Sequence, residues 1–74
     1  MSTGYSTEFV QRVRQSSRAK LGVRLGCYCI RHNISVATVS KRFKVSREAV
    51  YNWFRGKTNP SQALQAQVAR FIGE

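Results

Sequence analysis

Acids are scarce in this chain. It holds three, Glu8, Glu48 and Glu74, against 13 lysines and arginines in 74 residues. Histidine is scarcer still, with His32 alone. Three scattered carboxylates and one imidazole give no spacing of nucleophile, base and orienter, so no enzyme is expected. Two cysteines, Cys27 and Cys29, are too few for a disulfide scaffold. On a helix, residues two apart point about 200° apart and cannot grip one ion together. With His32 as the only further ligand of that kind, no metal and no cofactor are expected. A single proline and five glycines exclude low-complexity sequence. No apolar run reaches about 18 residues, so no membrane span is expected. Residues 1–15 lack an apolar stretch and a small-residue cleavage site, so they do not read as a secretory signal.

What is abundant is positive charge. The balance is +10, with a pI near 10.9. A domain this basic meets a polyanion, and nucleic acid leads that class. The apolar share of 42% argues for one small folded domain and against a disordered chain.

Helical spacing runs through the chain, and no strand pattern competes. Residues 1–15 read as a basic N-terminal arm, flexible or partly helical, with Thr7 as N-cap of a turn or two carrying Phe9, Val10 and Val13. Ser16 and Ser17 either interrupt that helix or lie within it. Residues 18–32 read as a helix, because Leu21, Leu25, Tyr28, Cys29 and His32 recur at steps of three and four. Gly22 and Gly26 cost about 1 kcal/mol each there, but lie beside that face where another helix can come close. Asn33 is a stop. Ser35 is an N-cap for a short helix over 36–43 with Val36, Val39 and Phe43 inward. Ser46 caps a helix over 47–55, closed by Gly56. Ser61 caps a last helix whose inner face is Leu64, Val68, Phe71 and Ile72.

The segment over 34–61 carries the chemistry. Two short helices joined by about three residues satisfy a helix-turn-helix. Val50, Trp53 and Phe54 form the docking side of the second helix. Arg47, Glu48, Tyr51, Asn52 and Arg55 share the opposite side. Those types suit base edges: Arg pairs with guanine, Asn with adenine, and Glu accepts from cytosine.

At this point the sequence resembles the Cro and phage-repressor type helix-turn-helix proteins, the XRE-like family. The matching residues are Ile34-Ser35, Val39-Ser40, Phe43, Val45-Ser46, Val50, Trp53, Gly56-Lys57 and Asn59-Pro60-Ser61, and the resemblance spans roughly 25–72. Three positions depart from the family pattern. Ser40 stands where alanine is favoured and is small enough to keep the helices close. Lys44 stands where glycine is favoured, so it either turns left-handed at a cost of about 1 kcal/mol or the turn differs. Val36 stands where a glutamine often steadies a phosphate, a contact valine cannot make. Trp53-Phe54 is also similar to the late recognition helix of homeodomains, but Arg55-Gly56 ends the helix here.

The resemblance implies a small all-α domain of four to five helices, lambda-repressor-like, over residues 16–74. Its second helix would enter the major groove of duplex DNA. Base contacts are then expected of Ser46, Arg47, Glu48, Tyr51 and Asn52. Phosphate contacts are expected of Ser35, Lys41, Arg42, Lys44, Arg55 and Lys57. The implied function is sequence-specific transcriptional regulation, chiefly repression, by a cytoplasmic, nucleoid-associated phage or bacterial protein. A palindromic operator and a homodimer follow by the same resemblance, through Phe71 and Ile72 or through Phe9 and Val13.

Plainer readings stand beside these. Glu48 at a helix start also favours the helix dipole. Lys41, Arg42 and Lys44 also read as a solvated face, and Phe54 as core or as a partner contact. Arg12, Arg14, Arg18 and Lys20 are either a DNA-embracing arm or a soluble basic stretch. At the level of the chain, the rivals are a non-specific architectural DNA binder, a protein-partner module of antitoxin-like or inhibitory kind, and a membrane-active cationic peptide.

Overall fold

The structure, a computed structural model, describes residues 5–74. Five helices follow one another: α1 (Thr7–Gln15), α2 (Leu21–Arg31), α3 (Val36–Phe43), α4 (Arg47–Phe54) and α5 (Gln62–Phe71). The described residues contain no strand, and the all-α expectation of a small helix-turn-helix domain holds.

Serine stands at the N-cap of four of these helices and caps three of them with its side chain. The hydroxyl oxygens of Ser6, Ser35 and Ser46 accept from the amides of Phe9, Thr38 and Ala49, each at 3.1 Å. Each bond satisfies an amide that the first turn leaves without a helical partner. Ser6, not Thr7, caps α1, because Thr7 already lies inside the helix. Ser61 keeps the extended N-cap backbone at α5, but its hydroxyl makes no cap bond. Its carbonyl takes the amides of Leu64 and Gln65 instead.

The ends are equally regular. Asn33, Lys44, Gly56 and Gly73 have positive φ. After each, the next amide reaches back to the carbonyl five residues earlier: Ile34 to Cys29, Val45 to Ser40, Lys57 to Asn52 and Glu74 to Ala69, at 2.8–3.0 Å. This left-handed closure satisfies carbonyls that the last turn leaves open. Lys44 takes the strained conformation that its position demands, with φ 55° and ψ 47°.

The helix expected over 18–32 begins later, at Leu21. Ser17 explains the delay. Its hydroxyl accepts from the Ala19 amide at 3.3 Å, a local turn that competes with helical bonding. The serine pair therefore interrupts the chain between α1 and α2.

The core lies where α2, α3 and α4 meet. Leu25, Cys29, Val39, Val50 and Phe54 have no exposed surface, and Val36, Phe43 and Trp53 little. Phe54 is thus core, not a partner contact. Val13 of α1 is also fully buried, so it is no dimer contact. The Tyr5 hydroxyl donates to the Ile34 carbonyl at 2.6 Å. Of the arm expected over 1–15, residues 1–4 lie outside the described residues. The rest packs on the domain through Tyr5, Phe9 and Val13. Burial there gives the segment more to gain from docking than from staying in water.

Candidate nucleic-acid interface

Two glycines set the position of α4. A β-carbon on Gly22 would stand 2.6 Å from the Trp53 carbonyl oxygen, and one on Gly26 would stand 2.9 Å from Phe54 Cγ. Real β-carbons do not come that close, so only glycine lets α2 and α4 pack at this distance. Their spacing of four keeps both on one side of α2. The approach expected of them is the approach of α4.

With Val50, Trp53 and Phe54 buried, the other side of α4 faces water. Ser46 at the N-cap and Arg47, Glu48 and Tyr51 along the helix are exposed, and Tyr51 retains 40% of its surface. Tyr51 is not loose. The Phe9 ring of α1 meets it edge-on, with centroids 5.1 Å apart and planes at 88°. Such edge-to-face pairs add about 0.5–1.5 kcal/mol beyond buried area. The ring is held by a helix that sequence alone assigned to an arm.

Asn52 and Arg55 sit differently from Arg47 and Tyr51. Both are half-buried, and Arg55 Nη2 donates to Asn52 Oδ1 at 2.6 Å. A bidentate grip on adenine uses the carbonyl oxygen and the amino group of the asparagine side chain. The Arg55 bond takes one of the two lone pairs of that oxygen and fixes the side chain's orientation. Arg55 in turn spends one of a guanidinium's five N–H donors inside the protein, and its Nε is buried without a partner among the described residues.

The exit of α4 is fastened from the α1–α2 connection. Ser16 Oγ shares its one proton between the Arg12 carbonyl at 2.8 Å and the Arg55 carbonyl at 3.0 Å, and Lys20 Nζ donates to the Gly56 carbonyl at 2.7 Å. A cation at a helix C-terminus is favoured by the dipole. Lys20 therefore fastens the end of α4 through its backbone. Nothing local to Lys20 signals it, since its partner is 36 residues away.

The expected phosphate set is not all in one place. Lys41, Lys44 and Lys57 are exposed, Lys44 and Lys57 at the two ends of α4. Ser35 Oγ is engaged as the α3 cap and meets Thr38 Oγ1 at 2.9 Å. Arg42 leans towards α5, its guanidinium carbon 5.7 Å from the Phe71 ring centroid. Phe71 also packs edge-on against Tyr28 and Phe43, so this residue is occupied within the chain. Cys29 is core filler, and burial pushes its thiol up to about 12.

A family model described as helix-turn-helix matches residues 28–74, more than half of the chain. The chain belongs to the Cro-like helix-turn-helix family. No curated protein and no solved structure matches it. In this helix-turn-helix protein the matched stretch runs from the end of α2 through α5, so α1 and its hold on Tyr51 lie outside the family unit. The family is one of DNA-binding regulators. Among the described residues, no helix is long and apolar enough to cross a membrane.

Proposed function

We propose that this helix-turn-helix protein is a sequence-specific transcriptional repressor that inserts α4 into the major groove of duplex DNA. One observation carries the reading. Arg47, Glu48 and Tyr51 stand exposed on α4 while Val50, Trp53 and Phe54 are buried, with Glu48 about 160° from Val50 and Arg47 in the helix's first turn. Arg47 is the guanine reader, with Ser46, Glu48 and Tyr51 beside it. Asn52 reads a base from the orientation that Arg55 gives it. Lys44 and Lys57 grip phosphates at either end of the helix, and Lys41 adds a third cation. Lysine and arginine supply affinity by releasing counterions, while the α4 face supplies choice.

Repression follows from occupancy of a promoter, in the cytoplasm of a bacterium or of a cell infected by a phage. A palindromic operator read by a homodimer is part of the proposal, with half-sites about one helical turn apart.

Selection from random duplex DNA at near-physiological salt, with sequencing of the bound pool, tests this. The expected result is an enriched inverted repeat. A single enriched half-site removes the dimer and keeps the reader. No enrichment, with binding that vanishes as salt rises, sinks the proposal and leaves an architectural binder.

A further inference from the structure

A second basic face stands behind α2, away from α4. Arg14, Arg18 and Arg31 line a concavity of about 540 Å³ with Cys27 and Ile30. All three arginines are exposed, and no carboxylate lines the concavity. Among the described residues the one ion pair is Arg24 with Glu74, at 2.7 Å. It lies in the adjoining hollow, which shares Arg18, Cys27 and Arg31. The Arg24 guanidinium also donates to the carbonyls of Arg18 and Ala19, at 2.9 and 3.0 Å. The turn that carries Arg18 is thereby pinned against α2.

Helix phase fixes which side this is. Gly22 and Gly26 face α4. At about 100° per residue, Arg31 lies about 180° from Gly22 and about 140° from Gly26. On α1, Arg14 lies about 140° from Phe9, which touches Tyr51. Arg14 and Arg31 thus turn away from the α4 face, while Arg12 stays on the Phe9 side.

We propose that this face is a second phosphodiester-backbone site, and that the protein bridges two segments of duplex DNA. The inference rests on the reading of α4 for the first segment. Three exposed arginines line one hollow, none of them in an ion pair among the described residues, and suit the closely spaced charges of a nucleic-acid backbone, which guanidinium forks bind in bidentate fashion. The hollow offers no aromatic anchor in its lining, which a protein partner would need. One duplex cannot serve both faces. The domain measures 31 × 24 × 22 Å, and wrapping a duplex around so small a body is far sharper than its stiffness of about 150 bp allows.

A sandwich capture tests the bridge. One duplex, carrying the selected site, is tethered to beads. The native chain is added, and a second, labelled duplex without that site is counted on the beads at about 0.15 M salt. The native chain holds the second duplex. The triple variant Arg14→Gln, Arg18→Gln, Arg31→Gln loses at least about tenfold of that capture, and the salt slope of second-duplex binding falls by up to about three. Its affinity for the first duplex stays within about threefold, because charges on the far side are screened beyond about 8 Å. All three positions are exposed, and matched thermal melts check that the variant folds; the single Arg31→Gln variant gives a smaller loss in the same direction. Undiminished capture by the triple variant overturns the proposal, since a dimer presenting two α4 helices would then be the bridge. A native chain that holds the first duplex and never the second also overturns it, and leaves the face to an acidic protein. Failure of the α4 reading shows separately, as an Arg47→Ala chain whose base preference is unchanged at every position of the selected site.

Discussion

Gly22 and Trp53 meet backbone to side, so closely that a methyl group on Gly22 would sit 2.6 Å from the Trp53 carbonyl oxygen and 2.9 Å from its Cβ. The obstacle is backbone, which cannot swing aside as a flexible side chain would. Gly22→Ala therefore forces α4 away from α2. The helix-propensity gain of about 1 kcal/mol is outweighed by overpacking, and the net loss is about 1–3 kcal/mol. Urea unfolding measures it. A Gly22→Ala chain as stable as the native one would contradict this account of how α4 is placed.

The Asn52–Arg55 bond makes a different prediction. The two side chains act as one unit, so their truncations do not add. Asn52→Ala and Arg55→Ala together should cost less than the sum of the two alone, by at least about 0.5 kcal/mol in a double-mutant cycle on stability. Arg55→Ala also frees the Asn52 side chain to turn, and adenine preference at its position should relax in a repeated DNA selection. Additive costs and an unchanged selection would show that the bond does not restrain Asn52.

Much of this domain is written locally. Ser35, Ser46 and Gly56 announce helix ends because their chemistry acts within four residues. Lys44 is legible for the same reason: a non-glycine residue where the turn needs positive φ must take that strain. Gly22 and Gly26 show that some helix comes close, though not which one. Local signals end there. Phe9 against Tyr51 joins α1 to α4, and Lys20 against the Gly56 carbonyl spans 36 residues. Such pairs depend on how helices cross, which periodicity does not encode. Arg55 is the instructive case. Its place on the outward face is readable from spacing, while its bond to Asn52 depends on half-burial that spacing cannot supply.

Arg47 and Lys57 should fail in different ways. Arg47→Ala should cost about 1–3 kcal/mol at the selected site and relax preference at one base position. Lys57→Ala should weaken all duplexes alike and lower the salt slope by about one unit. Fluorescence anisotropy on matched and scrambled duplexes over a salt series separates them. Equal loss on every sequence for Arg47→Ala removes its base-reading role, and a changed base preference for Lys57→Ala removes its phosphate role.

Alkaline pH probes the core through Cys29. Its thiol titrates near 12 in the folded chain against an ordinary 9.0, because burial disfavours the thiolate. Between those values the unfolded chain releases a proton that the folded chain keeps. The unfolded state then binds fewer protons, so stability falls as pH rises. The contribution is intact below pH 9 and shrinks by up to about 1.4 kcal/mol per pH unit above it. Tyr5 is raised in the same direction, by burial first and then by the nearby Cys29 and Tyr51, from an ordinary 10.0. Its loss therefore begins about one unit later. Denaturant midpoints between pH 8 and pH 10 should decline for the native chain, with the slope starting near 9. In Cys29→Ala the baseline drops because the core loses packing, but the decline between 9 and 10 should flatten. A decline of equal steepness in both chains would assign it to other groups and leave Cys29 without a part in it.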